Sequence, residues 1–161
     1  DERSLADVWA EIGMQGYNGS FVHGFPNMML MVGPSTGLGH TSMVYMIESQ
    51  LNYLVDYLKT VRAQGITRTE VKLSAQREFN AGIQHKLRNS VWVNGGCASW
   101  YKDANGNITT LWPGFTFAFR NTTRRFDIAA YDVTRGARRP AISSPDRTGE
   151  STNDQPAAVN A

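Results

Sequence analysis

One cysteine, three histidines and no long apolar run limit what this chain can be. A lone Cys97 excludes an internal disulfide framework and suits a reducing, cytoplasmic setting. His23, His40 and His85 are scattered, with no carboxylate or thiolate at ligand spacing, so no metal site is expected. The longest apolar-rich stretch, Met43 to Leu58, is broken by Glu48, Gln50, Asn52 and Asp56 and does not read as a membrane span. A net charge of +2 is too small to argue for a nucleic-acid partner. The polar opening Asp1-Glu2-Arg3-Ser4 leads into no apolar core, so no signal peptide is read there. The 161 residues suffice for one domain with a real core.

What is present centres on Met28 to Ser42. The uncharged run Met28–Val32 predicts a short buried strand, with Pro26 just ahead of it where a missing donor does little harm. A turn rich in glycine and proline follows, Gly33 to Gly39, and Ser42 then stands where a helix cap belongs. The helix is expected to run to about Arg62 and to stop at Gly65. Its apolar stripe is Val44, Ile47, Leu51, Leu54 or Val55, Leu58 and Val61. A helix start offers unpaired N–H groups and partial positive charge, so this turn suits an anion or a cofactor.

Around this centre the pattern predicts a first helix over Ser4 to Ile12 and a weak strand over Thr69–Leu73. A second long helix is capped by Ser74, with Ala75, Phe79, Ile83 and Leu87 on one face. Val91–Val93 and the alternating Phe115–Phe119 read as extended. Asn105-Gly106 between Ser99–Lys102 and Ile108–Trp112 predicts a hairpin. From about Thr134 the composition turns polar, and 134–161 reads as a disordered tail.

Gly33-Pro34-Ser35-Thr36-Gly37 also matches G-x-S-x-G, the nucleophile elbow, which makes a serine hydrolase using Ser35 one alternative. Few residues precede this elbow to build its sheet. His85 falls inside a predicted helix, and His40 is too near in sequence to swing back. A phosphate cradle is disfavoured because the loop lacks the lysine of G-x-x-x-x-G-K-[ST] and is not G-x-G-x-x-G. A non-enzymatic α/β interaction module, with the loop as a plain turn, is the other alternative. No catalytic residue is assigned.

Gly24-Phe25-Pro26-Asn27-Met28, the run Gly33 to Ser42, Met46-Ile47-Glu48-Ser49-Gln50 and Ser99-Trp100-Tyr101 together resemble flavin-dependent monooxygenases in their C-terminal part. The similarity is to the Baeyer–Villiger type, including hydroxyacetophenone monooxygenase-like members, and runs from about Leu5 to Phe126. The resemblance implies an α/β fold: the C-terminal portion of an FAD/NAD(P)-binding, two-dinucleotide-domain protein with a β-hairpin extension. Residues 1–133 would be a partial FAD-binding domain and 134–161 the tail.

It further implies FAD and NADPH as cofactors, with a peroxyflavin passing one oxygen atom from O2 to a ketone or a soft heteroatom of a small organic substrate. The cofactor-binding residues it implies are Gly33, Pro34, Ser35, Thr36, Gly37, Leu38, Gly39, His40 and Ser42 beside the flavin, with Trp100 near the nicotinamide cofactor. Members often carry Asn at the position of Ser35. Both G-x-G-x-x-G fingerprints are missing here, so the partner expected is an N-terminal segment of the same enzyme. The isolated chain is expected to bind neither cofactor tightly and to be inactive.

Overall fold

A computed structural model describes residues 3–39, 41–94, 101–103 and 105–136; His40, Cys97, Trp100 and the expected tail from 137 onward lie outside the described residues. The first helix, α1, is Leu5–Ile12, and Ser4 caps it by accepting from the Asp7 amide at 3.1 Å. Asp7 returns the bond by accepting from the Ser4 amide, which completes a capping box. The Ser4 hydroxyl first, and its amide second, hold the Asp7 carboxyl below its ordinary value.

The remaining elements are α2 (Met43–Ala63), β1 (Ile66–Val71), α3 (Leu73–Leu87), α4 (Val91–Asn94), α5 (Thr116–Thr122), a 3-10 turn (Ile128–Ala130) and β2 (Tyr131–Arg135). Helix and strand are thus mixed. β1 and β2 pair antiparallel, with Val71 opposite Tyr131 and Ile66 opposite Arg135. β2 takes in Thr134 and Arg135, which the composition had assigned to the tail. The Lys72 amide adds a rung by donating to the Ala130 carbonyl at 2.9 Å. Lys72 therefore stays extended and becomes the residue that starts α3, ahead of the expected Ser74.

Three expected strands are something else. Met28–Val32 is irregular: Val32 sits at φ +55 and Asn27 at φ +59, and no described strand runs beside it. An apolar run needs a neighbouring ladder to become a strand, and here its amides go elsewhere, Leu30 to the Ser20 carbonyl and Val32 to Gln50. Asn27 docks this segment on β1, exchanging bonds with both backbone groups of Thr69 at 2.9 Å. Val91–Val93 lies in the helical turn α4, continuing from α3 through the Ser90 amide on Leu87 and the Val93 amide on Ser90.

Phe115–Phe119 gives way to α5, with Phe115 as its first flanking residue. The alternation misled because only Phe119 is inside, fully buried, while Phe115 and Phe117 stack on each other in solvent. Of the expected hairpin, the described residues show one antiparallel bridge. Lys102 and Ile108 bridge around Gly106 at φ +79, and beyond Thr109 the returning arm pairs with a different segment.

Two cores flank α2. One is aromatic, with Phe21, Tyr53, Tyr57, Phe126 and Tyr131 around Val71 and Ala130; the other gathers Met46, Ile83, Leu87, Ile108, Leu111, Trp112 and Phe119. Edge-to-face contacts set the first, with Phe21 5.2 Å from both Tyr57 and Tyr131. The buried residues of α2 are Met46, Ser49, Gln50, Tyr53 and Tyr57, not the aliphatic stripe read from the sequence. Val44, Leu51, Val55 and Leu58 face out instead. The inward face is chosen by aromatic rings and by polar groups that find partners.

The Tyr53 and Tyr131 hydroxyls meet at 3.1 Å inside the aromatic core. Burial pushes Tyr53 up to about 12, and burial beside Tyr53 pushes Tyr131 up as well. Unfolded tyrosines ionise near 10.0, so above that pH unfolding releases protons and stability falls as pH rises towards 12. Burial also raises Tyr17, so alkaline titration followed by tyrosinate absorbance is expected to show three late groups, and Tyr53→Phe to shift the alkaline unfolding midpoint upward. An unmoved midpoint would refute this coupling.

Candidate functional site

The loop 33–39 is held from three sides. On the first, the Ser35 amide donates to the Thr109 carbonyl at 2.8 Å and the Gly37 amide to Thr110 at 2.7 Å. The Trp112 amide returns a bond to the Gly37 carbonyl at 2.8 Å, which makes a one-rung parallel bridge between Gly37 and Leu111. The arm 108–112 is itself fixed by Ile108, Leu111 and Trp112 in the second core and by Gln84, whose amide donates to the Ile108 carbonyl at 2.8 Å.

On the second side stands Gln50. Its side chain is fully buried and all three of its bonds are made: Oε1 accepts from the Val32 amide at 2.8 Å, and Nε2 donates to the Gly19 carbonyl at 3.0 Å and to the Ser20 hydroxyl at 2.9 Å. The third side is internal. The Thr36 hydroxyl donates to the Gly33 carbonyl at 2.7 Å, which closes the turn on itself.

Close approach explains the glycines. A Cβ on Gly33 would lie 2.5 Å from the Gly19 carbonyl oxygen, and one on Gly37 would lie 2.8 Å from that of Thr110. Both therefore face this chain's own backbone. Gly39 is exposed and lies against the Trp92 ring.

The residues singled out from the sequence divide accordingly. Pro34, Ser35 and Thr36 are buried, Gly33, Gly37 and Leu38 half-buried, and Gly39 and Ser42 exposed; His40 and Trp100 lie outside the described residues. Ser42 makes no side-chain cap, and no acidic residue stands in the first turn of α2, so the start of this 21-residue helix keeps its positive end open. An elbow serine must expose its hydroxyl. Ser35 shares the elbow's left-handed backbone, at φ +60, but is 2% exposed. His85 is on the wet face of α3, and His23 is bonded through Nδ1 to the Val71 carbonyl.

Beside Gly39 opens a cavity of about 330 Å³ lined by Leu87, Trp92, Leu111, Trp112 and Pro113, with Lys86 over the Trp112 ring. Nothing in the periodicity ties Leu111 and Trp112 to the glycine loop, because the link is a backbone ladder. Gln50 was visible as a polar residue on an apolar helix, the one signal that marks a buried, fully bonded side chain. Among the described residues no three His, Cys, Asp or Glu side chains gather as a metal would need, and no helix is long and apolar enough to cross a membrane.

No family model matches the chain. It is 49% identical over 138 residues to a Baeyer–Villiger monooxygenase of Streptomyces coelicolor, a match covering 85% of this chain and 26% of that protein. A Baeyer–Villiger monooxygenase of Pseudomonas aeruginosa is also 49% identical, over 135 residues, with 83% and 25% covered. The chain thus spans about a quarter of the length of these curated relatives. In fold it is similar to an oxidised steroid monooxygenase bound to NADP, with TM-score 0.71 and 23% identity over 83% of this chain and 26% of that one. A cyclohexanone monooxygenase from Rhodococcus bound to NADP+ follows at TM-score 0.66 and 20% identity, with 81% and 25% covered.

Proposed function

The chain is related over most of its length to part of the flavin-dependent Baeyer–Villiger monooxygenases, and from this we propose that it is the C-terminal segment of an FAD- and NADPH-dependent monooxygenase. The whole enzyme would transfer one oxygen atom from O2 to a ketone or a soft heteroatom. Residues 1–133, with the end of β2, would complete an FAD-binding domain, and the remainder would be a tail.

The observation that carries this reading is the open N-terminus of α2, reached from the exposed end of the glycine loop at Gly39. The residues fit a flavin through this helix end: uncapped helix amides suit the electron-rich edge of the ring system, while the missing Cβ of Gly39 makes room for the Trp92 ring, which lies 2.9 Å from where that Cβ would stand. Bound flavin would supply the oxygen chemistry, which no side chain can. Gly37, Leu38, Gly39 and Ser42 would make the contacts, with His40 between them. Gly33, Pro34, Ser35 and Thr36 would hold the shape from behind. The cavity beside Gly39 would take the apolar part of an organic substrate, with Trp92, Leu111 and Trp112 excluding water from it.

Two proteins test this. The isolated chain, titrated with FAD, is expected to show no saturable change in flavin fluorescence at micromolar concentration, because it offers no pyrophosphate cradle. The same chain, replacing the matching quarter of the Streptomyces coelicolor relative, is expected to purify yellow. A folded but colourless hybrid would sink the proposal.

A further inference from the structure

Four aliphatic side chains of α2 stand in water, with Val44 61%, Leu51 47%, Val55 48% and Leu58 52% exposed. Their spacing of seven, four and three places them on one side of the helix. Half-buried Ile47 and Leu54 border this stripe towards the core, and exposed Glu48 and Lys59 border it on the other flank. An apolar strip with a charged rim is the make-up of a packed seam. The opposite face of α2 is already committed, through Met46, Tyr53 and Tyr57, to this chain's own cores.

We propose that this stripe is the face on which the rest of a relative-length polypeptide docks. The inference rests on the reading that the chain works as a segment of a longer monooxygenase, and adds where the two parts meet. Size selects the occupant. From Val44 to Leu58 the helix rises about 21 Å, and at a helix width of about 10 Å the strip covers roughly 200 Å². A second copy needs about 800 Å² per partner to hold by itself. A covalently joined segment is present at high effective concentration and holds on less. Such a segment has to be large: the steroid monooxygenase of similar fold is matched over only 26% of its chain. The stripe also begins at the second residue of α2, beside its open start, so a body seated on it fixes the direction in which α2 points that end.

Cysteine accessibility tests this in a Cys97→Ser background. Leu51→Cys and Leu58→Cys on the stripe, and Glu78→Cys on the exposed face of α3, are labelled with a maleimide in the chain alone and in the Streptomyces hybrid. Labelling at 51 and 58 is expected to be about ten-fold or more slower in the hybrid, with position 78 unchanged. Equal rates at 51 and 58 in the two proteins would overturn the docking face. Protection that grows with the concentration of the chain alone would overturn the occupant, assigning the stripe to a second copy. Flavin content is read separately: protection without flavin removes the proposed function and leaves the seam, and flavin without protection does the reverse.

Discussion

Replacing Gln50 by alanine is expected to cost about 3 kcal/mol of folding stability, because a buried group left without its partner costs about 1–3 kcal/mol and Gln50 serves three. The Gly19 carbonyl and the Ser20 hydroxyl lose their donor, and the Val32 amide loses its acceptor. Val32 gives the loss further weight. A β-branched residue at φ +55 is held against its own preference, and the Gln50 bond is what pins it. Gln50→Glu is the informative companion. It keeps an acceptor for Val32 but turns a carboxylate oxygen towards the Gly19 carbonyl, so it is expected to destabilise at neutral pH at least as much as alanine does. Urea unfolding measures both, and a loss under about 1 kcal/mol for Gln50→Ala would show that the side chain is not the brace described.

Gly37→Ala is expected to be nearly as damaging, at about 2–3 kcal/mol, since overpacking costs about 1–3 kcal/mol and two backbone bonds are strained with it. The new methyl would sit 2.8 Å from the Thr110 carbonyl oxygen, which belongs to backbone and cannot rotate away. The Gly37 amide and carbonyl are the two ends of the rung to Thr110 and Trp112, so the loop would part from the arm that carries the cavity wall. Gly82→Ala is the control. Position 82 lies inside α3 with nothing within 4 Å of an added Cβ, and the change is expected to stabilise by about 0.5–1 kcal/mol through helix propensity. Matching unfolding curves for the two variants would refute the close-approach account.

The three longest helices were legible because their information is local. The pattern places the starts of α1, α2 and α3 to within a residue or two. Which face of α2 turns inward was not legible. The stripe has the stronger aliphatic period, whereas the buried face is recognised by Gln50, Tyr53 and Tyr57, whose partners come from distant segments. Extended segments failed for a related reason: Met28–Val32 has the composition of a strand but no described strand beside it to pair with. At the site, the position of the loop and its glycines were readable, as was the helix behind it. That Gly33 and Gly37 press on Gly19 and Thr110, and that Pro34 to Thr36 are interior, depends on contacts the spacing does not encode.

The three-sided support of the loop has a consequence for its portability. Gln50 reaches back 31 positions to Gly19 and 18 to Val32, while the other wall comes from Thr109 and Thr110, beyond the whole of α2, β1 and α3. Closing such long chain segments costs entropy that only the assembled cores repay. A peptide copied from residues 28–42 would carry every glycine and none of the shape. The segment is therefore not a transplantable motif in the way a capped helix is, and grafting it means moving the helix, the arm and the Gly19 turn together.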